Sequence, residues 1–184
     1  MINIQEQKAV NAILYFVQNT KGCFKTKLFK LLYFLDFMHF KKHGFSVTGF
    51  TYKAFPLGPV PAELLDMMDK NQYPDLYKES MGVVKEESDR SDRDYFIKIL
   101  PKKKPDLDWF TPNELKVLKQ VAEIYEDADT SLIVEATHLL NSPWDKTKKK
   151  GMYKEIDIKL ALDDETPLTM EEIQERIEIE KLIK

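Results

Sequence analysis

Asp36, His39 and His138 are the residues whose types and positions could support proton transfer. Asp36 and His39 are three residues apart on one predicted helix, so their side chains share a face and can touch. An aspartate can orient an imidazole, and His138 could complete a general acid/base pair. With Thr137 and the indole N–H of Trp144, the same residues could instead form a hydrogen-bond network that fixes the angle between two helices. No nucleophile or phosphate-binding loop accompanies them. We therefore interpret Asp36, His39, Thr137, His138 and Trp144 as a structural polar cluster and assign no catalytic residue.

The rest of the sequence contains no recognisable catalytic or metal-binding motif. The three histidines form neither an HExxH nor an H-x-H arrangement. No GxSxG elbow, Walker loop or GxGxxG occurs, and six glycines leave little material for a phosphate loop. Cys23 is the only cysteine, so an intrachain disulfide and a thiolate zinc site are excluded, and we interpret it as a small buried side chain. We expect no enzymatic activity, no metal, no cofactor and no small-molecule substrate.

Composition and charge indicate a cytoplasmic protein with one substantial core. The chain has 184 residues, of which 43% are apolar, and this suits a single domain. Its formal net charge of −3 does not favour non-specific nucleic-acid binding, which depends on an excess of Lys and Arg. The N-terminus lacks a basic region followed by an apolar one, and no apolar run reaches the roughly 18 residues of a membrane span.

The segment from Phe24 to Lys42 is the element that must position the polar residues. Its apolar side chains go almost all the way round a helix, so other elements must surround it. We predict an α+β fold, mostly helical, built around this central helix (about 24–42). The remaining predicted elements are helices at 5–18, 61–68, 111–127 and 131–140 and one small antiparallel sheet of strands 51–55, 83–87 and 95–100, with 73–80 as a loop.

Capping patterns mark several helix starts. Thr111-Pro112-Asn113-Glu114 is a capping box with proline at the first helical position, and Ser142-Pro143 repeats the cap and the proline. Gly44 stands where a left-handed C-cap belongs. Residues 1–150 look like one unit. We expect 151–184 to be an extension packed on it, with a short strand near 156–162 and an amphipathic helix after Thr169.

Two blocks of sequence resemble a known family. The first is Lys27–Phe34 (KLFKLLYF), followed by His39, Gly44, Phe55 and Gly58-Pro59-Val60, and the second is Thr137-His138 with Ser142-Pro143-Trp144. Together they span about residues 8–148 and are similar to the opening and closing signatures of the Panacea domain. That resemblance implies a protein of prophages and mobile elements, the antitoxin of a two-gene toxin–antitoxin pair, which neutralises its toxin by direct protein contact.

The partner of such a protein would be its cognate toxin, and three surfaces could contact it. They are the lysine and aromatic residues on one arc of the central helix, the turn after residue 55, and the amphipathic tail. The residues predicted to bind the partner are Lys27, Lys30, Phe34, Phe37, Lys41, Phe55, Leu57, Ile173 and Ile177.

Two other functions remain open from the sequence. One is a hydrolase-like enzyme that uses Asp36, His39 and His138, which would require a solvent-accessible pocket containing all three. The other is a DNA-binding regulator of its own operon. The acidic net charge and the resemblance beginning near residue 8, which leaves no room for an added DNA-binding segment, make nucleic acid an unfavourable partner.

Overall fold

The computed structural model describes residues 3–88 and 94–183, and these form eight α-helices and four strands. In chain order the helices are α1 (Ile4–Asn19), α2 (Lys25–His43), α3 (Ala62–Lys70), α4 (Asp75–Ser80), α5 (Pro112–Ile124), α6 (Thr130–Thr137), α7 (Pro143–Lys148) and α8 (Met170–Ile183). The strands are β1 (Tyr52–Phe55), β2 (Gly58–Pro61), β3 (Met81–Glu87) and β4 (Tyr95–Pro101). The predicted α+β class is confirmed.

Helix α2 is the central element, as predicted. Helices α1, α5 and α6 and strand β2 all pack against it, because its apolar residues cover nearly its whole circumference. The helix ends at Gly44, which has φ +70° and donates its N–H to the carbonyl oxygen of Phe40. A second apolar cluster lies between α2, β1 and α7; it consists of Tyr33, Phe37, Tyr52, Ala54, Trp144 and Ile156.

The strands form two separate antiparallel pairs instead of the predicted single sheet. β1 pairs with β2 in a register from Tyr52↔Pro61 to Phe55↔Gly58, and β3 pairs with β4 from Met81↔Pro101 to Glu87↔Tyr95. The Gly-Pro segment predicted to be only a turn is itself a strand, because a two-residue turn brings it directly beside β1. The predicted loop of the β3–β4 hairpin falls mostly on residues 89–93, which lie outside the described residues.

Three local predictions differ from the structure. Residues 75–80, expected to be a loop, form α4, which buries Tyr77. The tail strand expected at 156–162 is a 3₁₀ helix at Ile158–Ala161. Strand-like pairing occurs earlier, where the backbone of residues 153–156 hydrogen-bonds β1 at Tyr52 and Ala54. Helix α6 stops at Thr137 instead of 140, shortly before Asn141 adopts φ +62°.

The capping patterns predicted at the starts of α5, α7 and α8 are confirmed, whereas the helix predicted to begin at Pro61 begins at Ala62. Thr111 and Glu114 form the reciprocal capping box at α5, and the Ser142 side chain accepts from the N–H of Asp145 at α7. At α8, Thr169 and Glu172 exchange the same pair of bonds, at 2.8 and 3.2 Å.

Candidate functional site

The turn between β1 and β2 is where the two sequence blocks meet. Lys30 Nζ, from α2, donates to the carbonyl oxygen of Pro59 at 2.8 Å, and the Lys30 residue is only 1% exposed. Gly58 has φ +96°, and a Cβ there would lie 2.6 Å from Thr137 Oγ1 and 2.9 Å from Lys30 Cε. Glycine is therefore required at position 58 by both the backbone conformation and the lack of space.

The second block contacts the same turn through Trp144. The indole Nε1 donates to the carbonyl oxygen of Phe55 at 2.9 Å, and the residue is buried. The His138 ring stacks on the indole, with centroids 3.7 Å apart and 13° between the planes. Lys148 Nζ lies 4.8 Å from the centroid of the same ring, in a cation–π contact. Both blocks thus hold the turn by donating to its main-chain carbonyl groups.

Burial is the main influence on the pKa values of Lys30 and His138, the two titratable groups beside this turn. Burial lowers the pKa of Lys30 to about 7. The pKa of His138 is lowered first by burial and then by the nearby charges of Lys30 and Lys148. Within the described residues, Pro59 provides the one hydrogen bond of the Lys30 amine, and no carboxylate pairs with it. The turn is held by an amine that has lost its hydration without gaining a counter-ion.

Asp36 belongs to a separate polar group beside the loop that follows α2. Its buried carboxylate accepts from the backbone N–H groups of Val47 at 2.7 Å and Thr48 at 2.8 Å. It also accepts from the hydroxyls of Thr48 and Tyr52, at 2.5 and 2.7 Å. Desolvation raises the pKa of Asp36 against the opposing effect of these bonds. Four donors on one carboxylate fix the path of residues 47–52 against α2.

His39 lies in a third region, near the end of α2. Its Nδ1 is 2.7 Å from the carbonyl oxygen of Phe45, and its ring centroid is 4.7 Å from that of His43. Because a carbonyl oxygen can only accept, Nδ1 carries the proton. The structure therefore does not bring the five residues of the predicted polar cluster together. They occupy three places: Asp36 beside Thr48, His39 beside Phe45, and Thr137, His138 and Trp144 at the turn.

This separation also removes the geometry that the hydrolase-like alternative required. That alternative needed Asp36, His39 and His138 in one accessible pocket. The carboxylate of Asp36 is occupied by four donors, and His138 stacks on Trp144. Across residues 3–88 and 94–183, no three His, Cys, Asp or Glu side chains are grouped so that they could hold a metal ion. The helices in these ranges are all too short or too polar to cross a membrane.

Several residues predicted to bind a partner cannot contact one in this conformation, because they are buried: Lys27, Lys30, Phe37 and Ile173. Lys27 shows why lysines on one arc of the central helix need not form a binding surface. Its Nζ donates to the carbonyl oxygens of Lys21, Glu126 and Ala128, at 2.7, 3.3 and 2.6 Å. The amine is used entirely inside the protein, to hold the end of α5 and the following loop against α2.

The other predicted contact residues are partly or fully accessible. Phe34 stacks on Tyr125 with centroids 4.9 Å apart, and Lys41 pairs with Asp163 at 2.6 Å. Ile177 and Phe55 are half-buried. Leu57, at the tip of the β1–β2 turn, is 56% exposed and so is the best placed of these residues to meet a partner.

Sequence reasoning missed further exposed apolar residues beside the turn. Leu139 and Leu140 are 65% and 78% exposed and come shortly after Thr137, whose Oγ1 lies against Gly58. Tyr153 is 59% exposed, and its ring meets that of Phe55 edge-on at 4.9 Å. A leucine pair just after a helix end was the available signal. We define the turn face as Phe55, Leu57, Leu139, Leu140 and Tyr153.

Comparison with known proteins identifies the family. No curated protein and no solved structure gave a significant match. A family model described as antitoxin SocA-like, Panacea domain, matches residues 28–145, which is more than half of the chain. The matched range includes Lys30, the Gly58-Pro59 pair, Thr137, His138 and Trp144, the residues that hold the β1–β2 turn. The chain belongs to the family of antitoxin SocA-like Panacea domains.

Proposed function

We propose that this protein is a cytoplasmic antitoxin that neutralises a co-encoded protein toxin by binding it directly, with the turn face at the centre of the contact. Membership of the antitoxin-like family supports the general role. We choose this surface because both sequence blocks contact the same turn. Lys30 and Trp144 bond to the carbonyl oxygens at its two ends, while the Leu57 side chain between them remains 56% exposed.

The rigidity of the turn supports a binding role. An interface gains affinity when its surface is already in the bound conformation, because less conformational freedom is lost on association. Buried groups from α2 and α7 hold the turn, and Gly58 packs against Thr137 without space for a Cβ. The five apolar side chains of the turn face could then form the central anchors of an interface of standard size, roughly 800 Å² per partner.

Charge around the turn face supports an acidic contact surface on the toxin. Lys148, Lys150 and Lys154 are exposed in the segment that contains Trp144 and Tyr153, and Lys149 is paired with Asp145 at 2.7 Å. Charged residues at the rim of an interface act mainly on the association rate and on the choice of partner. The apolar centre would supply most of the affinity.

Co-expression with the product of the neighbouring gene tests this proposal. We expect the wild-type chain to restore growth and to co-purify with the toxin. Leu57→Asp and Leu140→Asp should each abolish both effects, because a carboxylate would be buried unpaired at the centre of the contact. Ile124→Asp is the matched control: Ile124 is 54% exposed, lies on α5 outside the turn face, and should leave rescue intact.

Two results would contradict the proposal. If the neighbouring protein is harmless, or is toxic but neither rescued nor bound by the wild-type chain, the antitoxin role is wrong. If rescue and binding occur but Ile124→Asp disrupts them as strongly as Leu57→Asp, the turn face is the wrong surface. Circular dichroism of each variant separates loss of binding from loss of folding.

A further inference from the structure

A groove with a volume of about 540 Å³ lies between β1 and α3, beside the turn face. Alternate residues of β1 line one wall, and residues on one side of α3 line the other. Its main lining side chains are Lys53, Phe55, Glu63, Leu65, Asp66 and Asp69. Phe55 belongs both to this groove and to the turn face, so the two surfaces are continuous.

The walls of the groove are fixed to each other, because the start of α3 is bonded to β1. The N–H of Thr51 donates to Glu63 Oε2 at 2.9 Å, and the N–H of Ala62 donates to the carbonyl oxygen of Thr51 at 2.8 Å. Leu65 and Phe55 are half-buried and provide the apolar part of the surface. A concave, partly apolar surface that is already formed loses little conformational freedom on binding.

The turn face alone is too small to form a stable interface. An interface of standard size takes roughly 20–30 residues from each partner, whereas the turn face has five. The surface next to it must therefore contribute to a stable contact. The groove is a concave neighbour that shares Phe55 with the turn face.

The groove side of β1 is acidic. Glu63, Asp66 and Asp69 follow each other at three-residue spacing on α3 and all border the groove. Asp66 pairs with Lys70 at 2.9 Å, but both side chains are 60% exposed, and such surface pairs contribute little and are easily exchanged. Among the described residues that line the groove, three carboxylates stand against one amine, that of Lys53.

The other side of β1 is basic. β2 lies along one edge of β1 and continues into α3, whereas the backbone of residues 153–156 bonds to the opposite edge. Lys154 lies in this segment and Lys148 and Lys150 shortly precede it, all three exposed, while Glu155 is the carboxylate of the segment. Charges of opposite sign thus flank the apolar residues of the turn face.

We propose that the groove receives a basic segment of the toxin, with an Arg or Lys side chain directed to Asp66 and Asp69 and its aliphatic part against Phe55 and Leu65. This inference rests on the antitoxin role and the turn face proposed above, and it specifies the charge pattern of the partner. Arginine suits both contacts, because its guanidinium bonds carboxylates in pairs while its stem packs on apolar surface.

The toxin would then present a basic patch to the groove and an acidic patch to the exposed lysines, on either side of an apolar centre. Such a pattern permits one orientation of the two proteins. Rotating the toxin by half a turn about the centre would bring like charges together, and like charges across an interface oppose binding.

The direction of a charge effect should therefore invert across β1. Lys53→Gln and Lys150→Gln each remove one exposed amine, the first in the groove and the second on the lysine side. Lys53→Gln should tighten binding of the toxin and Lys150→Gln should weaken it, each by about threefold at low salt. Both effects should shrink as salt shortens the screening length to below about 8 Å.

Surface plasmon resonance with the purified product of the neighbouring gene measures these effects. The double variant Asp66→Lys, Asp69→Lys should weaken binding about tenfold or more, mainly through slower association. The matched control is Glu123→Lys, Glu126→Lys. These two exposed carboxylates near the end of α5 have the same spacing, and the change in net charge is the same, but both lie outside the groove. The control should stay close to wild type.

The outcomes separate this inference from the antitoxin role. If Leu57→Asp abolishes binding but the α3 double variant binds as tightly as its control, the groove is not part of the contact, although the antitoxin role stands. Lys53→Gln and Lys150→Gln acting in the same direction would also contradict the groove. If the wild-type chain does not bind the neighbouring product, both proposals are wrong. Circular dichroism checks folding, and the two single Lys→Gln variants decide the question where the double variant does not fold.

Discussion

Lys30→Met is the substitution that most directly tests the physical account of the β1–β2 turn. Lys30 is 1% exposed, donates one hydrogen bond, to Pro59, and has a pKa of about 7 instead of 10.5. In the folded state this amine is therefore mostly neutral above about pH 7. Met has a similar length and no charge, so it can fill the same space.

The sign of the pH effect follows from the direction of this shift. Because the pKa is lower in the folded state, the folded protein binds fewer protons than the unfolded chain between about pH 7 and pH 10.5. The free energy of unfolding should therefore rise with pH across that window. For one group with these two pKa values, the gain between about pH 6 and about pH 9 is roughly 2.5 kcal/mol.

Lys30→Met should remove that gain and flatten the profile. At about pH 6 the variant should also be more stable than the wild type by about 4 kcal/mol, because the burial cost of the charge, about 5 kcal/mol, exceeds the roughly 1 kcal/mol of the lost hydrogen bond. Urea unfolding at several pH values measures both quantities.

Lys27→Met is the matched control on the same helix. Lys27 is equally buried, but its amine donates to three carbonyl oxygens. Its loss leaves the carbonyl oxygens of Lys21 and Ala128 without that donor, while that of Glu126 keeps the N–H of Lys21. That variant should be destabilised by about 2–4 kcal/mol at every pH and should retain most of the wild-type slope. If Lys30→Met and the wild type give parallel pH profiles, the account of an amine without a counter-ion is wrong.

Two further predictions concern the groups around Lys30 and Asp36. Gly58→Ala should destabilise the protein by about 2 kcal/mol or more in thermal unfolding, because its Cβ would lie 2.6 Å from Thr137 Oγ1 at φ +96°. Gly82→Ala, whose Cβ would meet nothing closer than 3.9 Å, should change stability by less than about 1 kcal/mol, and equal effects would refute the argument from space and strain. Asp36→Ala should cost about 3 kcal/mol or more in urea unfolding, because four donors lose their acceptor, whereas Tyr52→Phe removes one donor and should cost about 1 kcal/mol. Equal costs for these two variants would show that the carboxylate does not organise the loop.

Local sequence signals predicted those parts of the fold that depend on neighbouring residues. The capping box at Thr111, the left-handed cap at Gly44 and the all-round apolar pattern of α2 each involve groups within one or two helical turns. These elements are confirmed with boundaries close to the predicted ones. The β2 strand was missed because Pro59 and Pro61 are typical of turns, whereas proline is tolerated at a strand edge such as this two-stranded sheet provides.

The candidate site was predicted less well, because its contacts are distant in sequence. Lys27 bonds to Glu126 and Ala128, 99 and 101 residues further along the chain, and no helical pattern can show such partners. Trp144 meets Phe55 across 89 residues. The family resemblance correctly brought the two blocks together, but it did not show that their bonds go to main-chain atoms or that the lysines are buried.

The β1–β2 turn is held through its main-chain carbonyl groups, so its conformation does not depend on which side chain stands at its tip. Lys30 and Trp144 donate hydrogen bonds to the main-chain carbonyl oxygens of Pro59 and Phe55, and every amino acid has such an oxygen. A substitution at position 57 therefore alters what the loop displays without altering how the loop is anchored. If the turn binds a partner as proposed, single replacements at the tip can change which partner is bound, while the residues that maintain the loop stay the same.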